Sequence, residues 1–162
     1  MKNEKFKRDP HGTFTGIAFS NQNPLTTGFD EAVFNQCSFK DTFFDHSAFT
    51  FCKFNECIIK NMTLYQTVHD YSVYDSCVFV DIVFAKPYFL NVIFKNCKFT
   101  RVTFRPGNLG SGGCDLNSTV FTDCVFNEVV SINTVIDDET ELPKGIQLKT
   151  VDRKDLDLIR SF

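Results

Sequence analysis

The chain has 162 residues and a net charge of -3, from 17 basic and 20 acidic residues. That size fits one domain, and the charge excludes both the basic balance of a nucleic-acid binder and the large acid excess of a strong polyanion mimic. Aromatic content is unusual, with 20 Phe, 4 Tyr and no Trp, so one side-chain shape does most of the core work.

The opening MKNEKFKRDP lacks the apolar stretch of a secretory signal, and residues 1–13 are expected to cap one end of the domain or fray. No apolar run approaches the ~20 residues of a membrane helix, so no membrane partner is expected. From Phe14 a large residue then returns every fifth position. The series runs Phe14, Phe19, Pro24, Phe29, Phe34, Phe39, Phe44, Phe49, Phe54, Ile59, Leu64, His69, Tyr74, Phe79, Phe84, Phe89, Phe94, Phe99, Phe104 and Leu109. Two extra residues then interrupt it, and it resumes at Leu116, Phe121 and Phe126. Two places before each large residue the slot is mostly small or apolar, as at Ala32, Cys37, Thr42, Ser47, Cys52 and Cys57.

A helix of 3.6 residues per turn smears a five-residue period around its surface, and a plain strand needs period two. Period five fits three residues of strand, in-out-in, followed by two polar residues that turn a corner, such as Lys40-Asp41 or Asn55-Glu56. The phrase FNQCSFKD at Phe34 returns as FNECIIKN at Phe54, YDSCVFVD at Tyr74 and FKNCKFTR at Phe94. That echo at 20 residues means four quintets per closed coil. Residues 14–136 then give about six stacked coils, a cylinder roughly 29 Å long at ~4.8 Å per rung.

Departures from the period come next in chain order. Pro24, inside NQNPLTTGF, cannot donate a ladder hydrogen bond and predicts a loose or bulged side of the first coil. His69 shares a column with Phe29, Phe49 and Phe89, so it is a buried neutral histidine, a buried titrating group, or the centre of a bulge that turns it out. RPGNLGSGG (105–113) lacks the Gly-Lys-Ser/Thr ending of a phosphate cradle and reads as a flexible corner loop. After Ile136 the quintets stop. DDETELPKG reads as a turn-rich exit and VDRKDLDLIRSF as a short helix capped at Thr150 or Asp152, with Leu156, Ile159 and Phe162 on one face. Residues 137–162 thus read as an end cap that covers the unpaired strand edges of the last coil.

The cysteines follow the same register. Cys37, Cys57, Cys77 and Cys97 form one column, and Cys52, Cys114 and Cys124 are assigned to the same slot on other faces. All seven are expected to point inward as inert small hydrophobes wedged among rings. An odd cysteine count argues against a disulfide framework and fits a reduced cytoplasm. No CxxC or Cys/His spacing suggests a metal, no cofactor motif is present, and a bore filled with Phe leaves no concavity for catalysis. The expectation is a protein that is not an enzyme.

FNQCSFKDTFFDHSAFTFCKF resembles the pentapeptide-repeat family, and the resemblance covers residues 14–136, about three quarters of the chain. It implies an all-β fold, a right-handed quadrilateral parallel β-helix, here of about six coils with a short C-terminal helical cap. The Phe-rich, Cys-containing quintets look nearer to the Qnr and MfpA branch than to Leu-rich members. The similarity implies a DNA-mimicking inhibitor or protector of type II topoisomerase, such as gyrase, serving quinolone or toxin self-protection. It also implies a homodimer contact through the C-terminal end, with Leu156, Ile159 and Phe162 as candidates. The charge argues against mimicry. A duplex shows one negative charge per ~1.7 Å, roughly 17 over such a cylinder, whereas residues 14–136 hold 11 acids and 8 bases.

Outward positions sort by side once the register is set. One side carries Ala48, Phe51, Val68, Tyr71, Tyr88 and Leu90 with Asp30, Glu31 and Asp70 nearby, and Tyr65 lies around a corner. Phe51 and Tyr71 share a slot one coil apart. Exposed aromatics gathered on one side mark a protein contact, while scattered surface apolars do not. The expectation is a non-catalytic protein-binding solenoid in a bacterial cytoplasm, with an unidentified protein partner and no direct nucleic acid. Binding candidates are Phe51, Tyr65, Asp70, Tyr71, Tyr88 and Leu90. A translocated effector is the further alternative.

Overall fold

The computed structural model describes residues 9–20, 28–107, 114–152 and 155. Short parallel strands stack into a four-sided β-solenoid of about six coils. The first face is built from Thr13–Thr15, Val33–Asn35, Lys53–Asn55, Val73–Asp75, Ile93–Lys95 and Val120–Thr122, hydrogen-bonded in that order. The second starts with Ala18–Ser20 and Ser38–Lys40 and continues through the first halves of Ile58–Tyr65, Val78–Ala85, Lys98–Arg105 and Val125–Ile132. The second halves of those strands bend round a corner and join Phe43–Asp45 to make the third face. On the fourth face Gly28–Asp30 pairs with Ala48–Thr50, single bridges link Ala48 to Val68, Val68 to Tyr88 and Tyr88 to Asp115, and Cys114–Asp115 pairs with Thr134–Val135.

The corners explain the period of five. A left-handed backbone recurs at the corners, at Gly16 and at 19 non-glycine positions from Glu31 (φ 57°) to Asn133 (φ 49°), most of them two residues after a large inward residue. Such a φ costs a side chain roughly 1–2 kcal/mol. Here most corner N–H groups are satisfied by the next coil, as Gln36 N–H donates to the Asn55 carbonyl at 2.8 Å and Glu56 N–H to the Asp75 carbonyl at 2.9 Å. Polar residues fill almost all of these slots, which suits a position that faces water.

Inside, the large residues form columns of stacked rings. Along the first face the centroid steps are 5.1 Å from Phe14 to Phe34, 4.7 Å to Phe54, 4.5 Å to Tyr74, 5.0 Å to Phe94 and 5.1 Å to Phe121. Around a coil the contacts turn edge-to-face, as between Phe84 and Phe89 (75°) and Phe89 and Phe94 (74°). Each such pair adds about 0.5–1.5 kcal/mol beyond burial of its area. Repeating one ring shape lets every coil reuse the same fit.

The structure corrects the register near the Gly-rich segment. Ala85 pairs with Arg105, 20 residues on, but Tyr88 pairs with Asp115 and Phe94 with Phe121, 27 residues on. Seven extra residues, not two, therefore enter between 105 and 114. Leu109, which sits at a five-residue spacing by coincidence, lies outside the described residues, and Leu116 takes the column of Phe89. The thiols shift with it. Cys124 donates to the Phe94 carbonyl at 3.4 Å, as Cys97 donates to the Tyr74 carbonyl at 3.3 Å, so Cys124 continues the Cys37–Cys97 column rather than a separate face.

Past residue 136 the chain passes through two turns, at 138–139 and 144–145, before rejoining the sheet. Ile146–Lys149 adds a parallel strand to Val125–Ile132, with Ile146 beside Val129. Asp137 ties the intervening turn to the last coil by accepting from the Ser118 N–H (3.0 Å), the Ser118 hydroxyl (2.7 Å) and the Thr140 hydroxyl (2.7 Å). Those hydrogen bonds hold the Asp137 carboxyl low, at about 2. Leu142 packs on the core and Gly145 lies flat against Phe126, where a Cβ would come within 2.5 Å of the Phe126 Cβ. Most of the expected C-terminal helix lies outside the described residues; at Asp155, which has 3-10 geometry, the N–H donates to the Asp152 carbonyl at 2.9 Å. Leu156, Ile159 and Phe162 lie outside the described residues, as do Pro24 and most of the 105–113 loop.

Candidate functional site

The fourth face carries most of the proposed contact residues. Its pairing narrows to single bridges at Val68 and Tyr88, and residues 69–72 form a turn in which Ser72 N–H donates to the His69 carbonyl at 3.1 Å. Two corners of this face hold aromatic residues in left-handed geometry, Phe51 at φ 52° and Tyr71 at φ 57°. They are the only aromatic carbocycles at such corners among the described residues. Their N–H groups donate to the Asp70 carbonyl (3.0 Å) and the Leu90 carbonyl (2.8 Å), so the backbone is as satisfied there as at any polar corner. The side chains stand in water, 53% and 46% exposed, with rings stacked at 5.0 Å and 10°.

Tyr88 and Leu90 extend this patch one coil further and are also exposed. Asp70 is half-buried beside them and accepts the Leu90 N–H at 3.1 Å. Burial, and secondarily the charge of Asp115, raise the Asp70 carboxyl, while the Leu90 hydrogen bond works in the opposite direction. Asp30 sits in the same outward column two coils below, with the exposed His11 ring against its carbonyl at 2.6 Å. Tyr65 does not join the group. It lies half-buried on the third face, edge-on to His46 at 5.8 Å.

Behind the patch the inward column reads Phe29, Phe49, His69, Phe89 and Leu116. His69 is inward and buried, stacked on Phe49 at 5.3 Å and edge-on to Phe89 at 5.0 Å. Both ring nitrogens are used: Nδ1 lies 2.6 Å from the Tyr74 hydroxyl and Nε2 2.9 Å from the Thr67 hydroxyl. A neutral ring offers one donor and one acceptor, and each hydroxyl can serve either role. Burial lowers His69 to about 3, so it stays neutral at ordinary pH. The same coil replaces Phe with Ile59 and Leu64, and a void of about 20 Å³ opens in the bore beside Met62 and His69. That volume holds one water at most.

The seven cysteines are free. Six are buried and Cys124, nearest the end, is half-buried. Burial pushes Cys52 and Cys114 up to about 12. Within the five-membered column, hydrogen bonds between neighbouring thiols and then burial raise Cys77 and Cys124. Among the described residues no three His, Cys, Asp or Glu side chains come together as a metal site. No helix of the described residues is long and apolar enough to cross a membrane.

A second concavity escaped the sequence reading. An open trough of about 630 Å³ follows the corner between the second and third faces, with Val83, Thr103 and Val130 on its floor and Asp81, Arg101 and Glu128 on its rim. Arg101 donates to both Asp81 oxygens, at 2.5 and 3.0 Å, so two of the three rim charges are already paired with each other. The periodic corner slot (Asp41, Asn61, Asp81, Arg101) was the signal that could have placed it.

No family model matches this sequence, and no curated protein matches it. Similar solved structures are pentapeptide-repeat proteins. Rfr23 from the cyanobacterium Cyanothece 51142 is 8% identical at a TM-score of 0.32, with 88% of this chain and 99% of that one covered. HetL from the cyanobacterium Nostoc sp. strain PCC 7120, involved in heterocyst differentiation regulation, is 12% identical at 0.39, over 76% of this chain and 60% of HetL. Full-length QnrB1, a plasmid-mediated fluoroquinolone resistance protein, is 13% identical at 0.24, over 91% and 95%. Superpositions this loose decide nothing further. The pentapeptide-repeat architecture rests on this chain's own quintets, corners and parallel rungs.

Proposed function

We propose that this pentapeptide-repeat solenoid is a non-catalytic protein-binding module that docks its partner on the fourth face, in the cytoplasm. The carrying observation is the stacked pair Phe51 and Tyr71, aromatic residues held half in water at corners whose left-handed backbone favours small polar ones. Such a pair contributes little to the core, and exposed aromatic anchors are the residues that dominate interface energies. Tyr88, Leu90 and Asp70 complete the patch, and Tyr65 would belong only to a partner that wraps the corner. The test replaces Phe51 and Tyr71 with Ser together. Circular dichroism should be unchanged while a pulled-down partner disappears, and equal recovery by variant and wild type removes the patch from consideration.

The topoisomerase reading is supported by the style of the quintets and opposed by charge. Eleven acids against eight bases in residues 14–136 fall far short of a duplex of the same length. A gyrase supercoiling assay separates the two readings: absence of inhibition and of protection at micromolar protein removes mimicry. A homodimer through the C-terminal end is tested by sedimentation of the full chain and of Leu156→Asp. The translocated effector is tested by fusing a reporter to the chain and assaying its delivery.

A further inference from the structure

We propose that the fourth face receives a positively charged, arginine-bearing segment of the partner, a proposal that rests on reading that face as the binding surface. Charge is segregated around the cylinder. Asp30, Glu31, Asp70 and Asp115 all lie on the fourth face or its trailing corner, and no Lys or Arg lies there among the described residues. Residues 14–136 hold 11 acids and 8 bases, so the remaining seven acids and eight bases leave the other three faces at +1. The negative balance of the solenoid is therefore a property of one side.

On the other faces two carboxylates meet a Lys or Arg side chain, Asp81 with Arg101 and Asp75 with Lys95 at 3.8 Å. On the fourth face no Lys or Arg of the described residues pairs with a carboxylate, and Asp30 has only the exposed His11, 4.0 Å away. Lys86, on the preceding corner, lays its stem against Gly107, whose added Cβ would meet the Lys86 Cδ at 3.0 Å. The face thus keeps its carboxylates unneutralised beside two stacked ring faces. Guanidinium suits that combination. Its plane stacks on an aromatic face, its fork engages a carboxylate with two parallel hydrogen bonds, and it sheds water more readily than an ammonium. A lysine, a compact hydrated charge, uses the carboxylates but gains less from the rings.

The experiment is an amide NMR titration of the full chain with short peptides of alternating Arg and Gly, Lys and Gly, or Glu and Gly, at about 150 mM salt to screen loose attraction. The Arg peptide should shift amides at residues 49–51, 69–71 and 88–90, bind more tightly than the Lys peptide, and outcompete the Glu peptide entirely. Asp30→Asn with Asp70→Asn should weaken it about tenfold, as should Phe51→Ser with Tyr71→Ser. Shifts spread over all faces, equal binding of the Glu peptide, or indifference to the Asn substitutions overturn the proposal. If the Ser substitutions abolish capture of the natural partner while the Asn substitutions leave it unchanged, the binding face stands and its preference for cations falls. If neither pair affects capture, both fall.

Discussion

The second and fourth faces sit across the bore from each other and obey the same inner rule. On the second, Phe19, Phe39, Ile59, Phe79 and Phe99 line the interior, and on the fourth, Phe29, Phe49, His69 and Phe89 do so, all buried. Their outer surfaces differ. The second face has continuous strands and carries Lys40, Lys60 and Lys98. The fourth narrows to single bridges at Val68 and Tyr88 and carries stacked aromatics among carboxylates. A five-residue repeat thus binds its inward slots to a narrow choice of side chains while leaving the outward slots open to selection for contact. Stability should follow the inside and recognition the outside.

The largest effects test the shared interior. Phe79→Ala on the second face and Phe89→Ala on the fourth, each at most 2% exposed, should cost about 3–5 kcal/mol apiece in urea unfolding. A large difference between them would mean that the fourth-face column is not equivalent. His69 then sharpens the comparison, because the second-face residue of its coil, Ile59, cannot titrate. Unfolded His69 takes a proton below about 6.5, while the folded ring refuses it until about 3. The unfolded state binds more protons in that window, so stability is fully present above pH 6.5 and falls as pH drops, by a few kcal/mol (about 1.4 per pKa unit). His69→Phe should remove that slope, seen as a flatter dependence of the urea midpoint on pH than in wild type.

A smaller loss is expected at the end of the solenoid. Gly145→Val forces a Cβ onto Phe126 and should cost about 1–3 kcal/mol, with amide exchange rising at residues 146–149 while the middle coils stay protected. The smallest belongs to the outer corners. Phe51→Asn and Tyr71→Asn each lose ring stacking but gain a residue that accepts left-handed φ. Each should change the unfolding free energy by less than about 1 kcal/mol and still weaken partner binding, which separates the outside from the inside in one pair of variants.

Most of this fold was legible because its rule is local. A large residue every fifth position and a small one two before it specify the four-sided coil, and the 20-residue echo specifies the stacking, so Phe34, Phe54 and Tyr74 were placed correctly by counting. Counting failed across the Gly-rich segment, where the register moves from 20 to 27 residues. Leu109 disguised a seven-residue insertion as a two-residue one and thereby misplaced Cys124. The strand Ile146–Lys149 was missed although IQLK alternates apolar and polar, because a strand of four residues is read with difficulty beyond the end of a strong repeat. The patch was legible in Phe51, Tyr71, Tyr88 and Leu90 from register alone. Tyr65 was not, since proximity around a corner depends on where the ring turns, and it turns to His46. The His69 partners were invisible because Thr67 and Tyr74 meet it only through the bore.

The most direct measurement is site-specific photocrosslinking in cells. A photoreactive phenylalanine analogue is placed at Tyr71 on the fourth face or at Lys60 on the second, in otherwise unchanged protein. A solenoid that binds through its fourth face gives a discrete protein adduct from position 71, abolished by Phe51→Ser, and none from position 60. Equal adducts from both positions, or an adduct from position 60 alone, would contradict it.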